Sequence, residues 1–166
     1  MGIDAYASEK LFAPLGIAEW EWLSRPDGVP LVASGLRLKL RDLAKFGQLV
    51  LDRGMWEGRQ LVPAAWLDEM VVPRPSLPGV RYGYFWWLGD AVEPRGWIGG
   101  LGHELPGEGE WPAWIAGIGN GGQRLSIQPD IGLVVATFGG DYKNRGGWVV
   151  RIRMMRTSGV RSCGVA

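Results

Sequence analysis

The period of the hydrophobic pattern changes once along this chain, and that change limits what it can fold into. In the first half Leu36, Leu40, Leu43, Phe46, Gly47 and Val50 form an apolar stripe at steps of three and four, with Arg37, Lys39, Arg41, Asp42 and Lys45 mostly off it. That spacing predicts an amphipathic helix, ended at Arg53-Gly54 where glycine accepts the left-handed turn. From Arg81 the pattern shortens toward a period of two. Tyr82–Leu88, Trp114–Ile118, Arg124–Gln128 and Leu133–Phe138 read as strands, the last two joined by the hairpin-like connection Pro129-Asp-Ile-Gly132. Helices first and an antiparallel sheet afterwards predict an α+β fold rather than alternating βαβ units.

The remaining segments follow from turn chemistry. Ile3 to Leu15 carries apolar residues at Ile3, Tyr6, Ala7 and Leu11 and stops at Pro14 and Gly16, so a short helix is expected. Glu19 to Ser34 reads as a connection built on Arg25-Pro-Asp-Gly28, with Trp20 and Trp22 expected to face opposite ways. Trp56–Val62 reads as a turn-rich segment. Pro63 then opens a helix over Ala64–Val71 that Pro73, Pro75 and Pro78 end. Residues 90–111 read as a long excursion loop. The tail 151–166 holds Arg151, Arg153, Arg156 and Arg161 and no acid, and is expected to be a solvated terminus.

Composition sets the class. There are 27 Gly and 11 Pro, yet 46% of residues are hydrophobic and ten are Trp, which is enough apolar material for a core and excludes a disordered chain. A net charge of +1 lacks the electrostatic footprint of a general nucleic-acid binder. One cysteine, Cys163, rules out an internal disulfide framework, and one histidine, His103, rules out a multi-histidine metal site. No cofactor is expected. The first ten residues carry acids from Asp4 onward and do not read as a secretory signal, and no apolar run reaches the roughly 18 residues of a spanning helix. A soluble chain that stays where it is made is the expectation, with the compartment open.

The segment with most chemical content is Gly117-Ile-Gly-Asn-Gly-Gly-Gln123, set between two strand-like runs. Glycine there marks either a bulge or twist, or a place where a ligand meets bare backbone whose N–H groups can face an anion or oxyanion. It is not a phosphate loop, because Gln123 and Arg124 stand where Lys and Ser or Thr are required.

Five blocks occur in order: Tyr6-Ala-Ser-Glu-Lys-Leu-Phe-Ala-Pro-Leu-Gly-Ile17, Ala33-Ser-Gly-Leu-Arg-Leu-Lys-Leu-Arg-Asp-Leu-Ala-Lys-Phe-Gly47, Gly58-Arg-Gln-Leu-Val-Pro63, Tyr82-Gly-Tyr-Phe-Trp-Trp87 and Gly119-Asn-Gly-Gly-Gln123. Together they resemble the serine hydrolases related to class C β-lactamases and penicillin-binding proteins, over residues 3 to about 142. The resemblance implies an antiparallel sheet flanked by helices, with 1–150 forming part of such a domain: a mainly helical part over 1–80 and sheet strands over 81–142. It also implies small-molecule ester or amide substrates opened through an acyl-enzyme. Asn120-Gly121-Gly122 matches the strand motif at the far wall of that family's site, Asn120 standing where a cation or imidazole is usual. Gln123 then falls at the position whose backbone N–H helps form the oxyanion hole.

The family's nucleophile motif, Ser-x-x-Lys, is absent. Three positions before Lys10, Lys39, Lys45 and Lys143 stand Ala7, Leu36, Asp42 and Gly140. Tyr142-Lys-Asn144 reads Tyr-x-Asn, but it follows the last strand, whereas the family's motif precedes the first block matched here. Tyr6-Ala-Ser8 lies in the first helix and reads as packing. His103 reads as a surface-loop residue, and the acid pairs Asp68-Glu69 and Glu108 with Glu110 read as solvated. The resulting expectation is a C-terminal portion of such an enzyme, about half of its domain, with the oxyanion wall but no nucleophile or base. The alternative is a non-catalytic remnant that binds ligands or partners. Its means would be a surface lined by Trp86, Trp87, Trp97, Trp111 and Trp114, which otherwise pack the sheet; an exposed sheet edge is expected to offer self-association.

Overall fold

The computed structural model describes residues 1–32, 34–74, 81–89, 113–119 and 121–140, with the backbone of 153–156. The stripe read from the sequence becomes helix α2, Leu40–Leu51, which lies between two apolar clusters. Toward one side Ala44 and Val50 join Leu67 and Met70 of helix α3 (Ala64–Met70), Val71 just beyond it, and the inner face of the main sheet. Toward the other, Leu49 meets Phe12, Leu15 and Ile17.

The main sheet has five antiparallel strands in the order of their sequence: β5 Trp87–Gly89, β6 Trp114–Ile118, β7 Arg124–Gln128, β8 Leu133–Thr137 and β9 Arg153–Arg156. Register sets its two faces. Leu88, Ile115, Ile127 and Val134 lie opposite one another across four strands and face α2, as do Leu125 and Ala136. Ile115 and Ile127 are both 0% exposed, which makes this row the centre of the core. The three strands read over 114–138 appear within one residue of their expected bounds, and Gly132 closes the β7–β8 connection at φ 60°.

Other expectations are corrected. The helix was expected to begin with Leu36, but Leu36–Leu38 is strand β2, paired with β1 (Trp20–Trp22) inside the segment read as a plain connection. Alternation explains it. Leu36 and Leu38 flank Arg37, and Trp20 and Trp22 flank Glu21. Both tryptophans therefore share one face and pack with the leucines against the Phe12 cluster, rather than facing opposite ways. Arg37 and Glu21 form an ion pair of 2.7 Å on the exposed face. The indole Nε1 of Trp22 donates to the carbonyls of Leu31 (3.0 Å) and Ser34 (3.2 Å), closing the turn between the strands. The opening helix is shorter than expected: α1 covers Ile3–Ala7 and passes into a π-helical turn, Ser8–Phe12. Tyr6, read as packing, is 55% exposed.

The segment read as turn-rich over Trp56–Val62 belongs to a small hairpin that starts one residue earlier, of β3 (Met55–Trp56) and β4 (Arg59–Gln60), turned by Glu57 at φ 47° and Gly58 at φ 78°. Two successive positive φ values are what a two-residue hairpin requires. The strand expected over Tyr82–Leu88 is reduced to β5. Gly83 and Trp86 instead close a turn, with Gly83 N donating to Trp86 O at 2.9 Å, while Tyr82 makes only single bridges to Arg74 and Trp87. Tyr84 N donates to Met70 O at 3.2 Å and its ring stacks on Trp66, which draws the aromatic run off the strand path. In the tail, β9 pairs with β8 from Leu133↔Arg156 to Ala136↔Arg153, so part of the segment read as solvated belongs to the sheet. The loop 90–111 lies outside the described residues, and among the described residues no helix is long and apolar enough to cross a membrane.

A half-buried ion pair on α2 also ties that helix to the N-terminal segment. Asp42 is 7% exposed and holds Lys45 at 2.7 Å, while Lys45 Nζ donates to Gly16 O at 3.0 Å. Asp42 also lies in the first turn of α2, where an acid complements the helix dipole. Asp42→Ala should cost about 0.5–1.5 kcal/mol, since it removes a charge-assisted contact while Lys45 keeps Gly16 O and water as partners. A thermal melt should then fall by roughly 2–4 °C per kcal/mol, and an unchanged midpoint would refute the role given to the pair.

Candidate functional site

The glycine segment singled out in the sequence is the β6–β7 connection. Gly119 N donates to Gln123 O at 2.8 Å, closing the hairpin, and Gly121 and Gly122 take φ values of 87° and 93°. Side chains of L-residues rarely occupy that region, so the backbone shape itself demands glycine at both. A third glycine completes the packing. A Cβ on Gly139, just beyond β8, would lie 2.5 Å from Gly121 O and 3.1 Å from Gly122 Cα. Thr137, 3% exposed, donates its hydroxyl to Gly122 O at 3.3 Å. The loop is thus held backbone to backbone against the end of β8.

Register places the rest of this end of the sheet. β5 runs antiparallel to β6 with Trp87 opposite Ala116. The Trp86 ring lies over Gly117, where a Cβ would stand 3.7 Å from it. Arg124 opens β7 opposite Ile118 and Thr137, on the sheet face away from α2. Its burial lowers the guanidinium pKa by desolvating the cation. Gln123 and Gly122 sit on a hairpin end held by the Gly119–Gln123 bond and by Thr137.

The other sequence candidates separate. Gly121, Gly122 and Gln123 lie in the turn between β6 and β7 rather than on a strand, while Asn120 lies outside the described residues, as do His103, Glu108, Glu110, Tyr142, Asn144, Trp97, Trp111 and Cys163. Asp68 pairs with Arg53 at 2.5 Å and Glu69 pairs with Arg74, both largely exposed, in keeping with a solvated reading. Trp86 packs against the main core and Trp114 against Gly89. Trp87 is 38% exposed and meets Tyr82 edge-on at 5.2 Å. Among the described residues no group of three His, Cys, Asp or Glu is placed to hold a metal ion.

Two features were missed in the sequence. Thr137 ends an apolar strand, and nothing in its neighbours signals a hydroxyl holding a loop fifteen residues earlier. The sandwich of Trp66, Tyr84 and Arg74 joins three segments: the rings of Trp66 and Tyr84 stack at 5.4 Å and 8°, and Arg74 lies 4.9 Å over the Tyr84 ring. Stacked rings and an overlying guanidinium add directional attraction to the burial they share.

Comparison with solved structures agrees with this topology. The chain aligns with "Putative 6-aminohexanoate-dimer hydrolase from Bacillus anthracis" at a TM-score of 0.66 and 20% identity, over 88% of this chain and 34% of that one. It aligns with "Crystal structure of putative beta-lactamase from Bacteroides dorei DSM 17855" at a TM-score of 0.57 and 18% identity, over 85% of this chain and 45% of that one. The fold is β-lactamase-like. This chain spans about a third of the first structure's length and under half of the second's. No family model matches the sequence, and no curated protein matches it.

Proposed function

We propose that this chain forms the oxyanion-side wall of a serine hydrolase related to class C β-lactamases, a protein that opens small ester or amide substrates through an acyl-enzyme. The observation that carries this reading is the glycine hairpin end 119–123, fixed against Gly139 and Thr137 within a β-lactamase-like fold. Gln123 N–H is the assigned oxyanion donor, and Gly121 and Gly122 keep side chains away from the approaching carbonyl. Activation of a serine needs a base within hydrogen-bond reach as well as such donors. Since Ser-x-x-Lys and a correctly placed Tyr-x-Asn are both missing from the sequence, the chain alone should not form an acyl-enzyme.

The purified chain, incubated with a fluorescent penicillin and with a fluorophosphonate, should show no covalent label by mass spectrometry. Its hydrolysis of a nitrophenyl ester should stay at the level of a Gly122→Trp variant. Stoichiometric labelling of one serine would refute the proposal. A second reading, a ligand-binding remnant without catalysis, draws on the exposed aromatics Trp66 (52%) and Trp87 (38%). Saturable quenching of tryptophan fluorescence by a ligand that leaves the Gln123 amide resonance unmoved would favour it.

A further inference from the structure

The run Arg81–Leu88 folds back on itself. Leu88 N donates to Arg81 O at 3.1 Å, Gly83 N to Trp86 O at 2.9 Å and Trp86 N to Gly83 O at 3.4 Å, which leaves Tyr84 and Phe85 as the two residues of a hairpin tip. Phe85 takes φ 63° at the second of them, a place that favours glycine, so a phenyl ring there is strained. The core gives nothing in return, since Phe85 is 82% exposed. The tip is fixed all the same. Tyr84 N bonds Met70 O, the Tyr84 ring lies on Trp66, and a Cβ on Gly83 would run into Met70 O, so the hairpin is seated against the end of α3.

Three aromatic side chains therefore meet solvent at one place. Tyr84 covers one face of the Trp66 indole and leaves that residue 52% exposed, Tyr84 itself is 41% exposed, and Phe85 follows it at the tip. At these exposures, rings of roughly 200 Å² each present on the order of 350 Å², under half of the roughly 800 Å² per partner that a stable protein interface buries. That is too little for a second copy of this chain. A ring so exposed at a hairpin tip projects, so it enters its partner rather than receiving one. The neighbouring charges narrow the partner further. Arg74 lies over the Tyr84 ring, donates from Nη2 to Tyr84 Oη at 3.3 Å and pairs with Glu69, while Arg53 pairs with Asp68. Each of these two cations is matched by an acid, which leaves no strong pull on a polyanion.

We propose that the hairpin tip Tyr84–Phe85, with Trp66 beside it, docks this chain reversibly on the surface of a zwitterionic lipid bilayer. Trp and Tyr rings with a polar end lodge at the headgroup level, and a phenyl ring held ahead of them reaches the acyl boundary. Because the turn already fixes Phe85 outward, little ordering is left to pay for on contact. The contact is shallow and spans nothing.

The test sediments the intact chain with phosphatidylcholine vesicles at about 0.1 M and about 0.5 M salt. Binding should saturate and differ by less than about twofold between the two, because ring burial rather than charge drives it. Phe85→Gly should weaken it about tenfold, the loss expected for one phenyl ring. Its melting temperature should stay at or above that of the unsubstituted chain, since glycine accepts the positive φ. Ile131→Ser, on the exposed turn between β7 and β8, should bind as the unsubstituted chain does. Undiminished binding by Phe85→Gly, or an equal loss in Ile131→Ser, would overturn the proposal. Loss of binding at the higher salt would overturn it, as would no binding at about 10 mM lipid. Dimerisation without lipid that Phe85→Gly abolishes would assign the patch to a second copy and overturn it too.

Discussion

Ile127→Ala should remove about 2–5 kcal/mol of stability, a large share of the roughly 5–15 kcal/mol that a domain normally has. Ile127 is 0% exposed and is the fourth of the five residues of β7, flanked by Ile115 at 0% on β6 and Val134 at 2% on β8. α2 packs over the same row through Ala44 and Val50. Truncation loses the transfer free energy of three carbons and leaves a cavity that the paired strands cannot close without breaking register. Ile131, 65% exposed in the short turn before β8, is the matched control. Its truncation should cost less than about 0.5 kcal/mol. Denaturant titration checks the pair: the midpoint should fall for Ile127→Ala at an unchanged slope, and equal losses at the two sites would mean that the core lies elsewhere.

Gly47→Leu should cost about 3 kcal/mol or more, at the upper end for overpacking. Gly47 is at the centre of α2, and a Cβ there would stand 2.5 Å from Val134 Cγ1 and 2.9 Å from Leu125 Cδ1. Helix propensity pulls the other way, since glycine in a helix interior costs about 1 kcal/mol relative to alanine. The close approach of helix to sheet opposes it already at a methyl group, whose carbon meets Val134 and Leu125, and more so for a longer side chain. Arg41→Ala, on the exposed side of the same helix, should be near neutral. If Gly47→Leu melted with Arg41→Ala, the helix would not rest on β7 and β8 where the structure places it.

These two sites mark how far the sequence could be read. Strands β6, β7 and β8 were legible because Ile115, Ile127 and Val134 recur in short β-branched runs bounded by Gly, Pro and Asp. The glycine loop was legible for the same reason, as a break between two such runs. The β1–β2 ribbon was not. Its strands are three residues each, and Leu36 fits the helical stripe as well as it fits the strand, so spacing alone favoured the longer element. Likewise the run Tyr82–Trp87 is β-prone at every position, yet the Tyr84 ring is claimed by Trp66 from another element and the chain turns. Gly47 illustrates the same limit from the other side, because in the sequence it is one more small residue in an apolar stripe.

The sequence by itself determined the α+β order, the helix that becomes α2, the three central strands and the glycine loop with its missing nucleophile partners. Each depends on local periodicity or on residue identity, which act within a few residues. Only the tertiary structure decided that Thr137 and Gly139 clamp the loop, that Trp20 and Trp22 share a face, and that Phe85 stands exposed at a positive φ in the turn before β5. Those depend on which segments meet across the core, and distant contacts form for reasons of volume and hydrogen bonding that no short stretch of sequence contains.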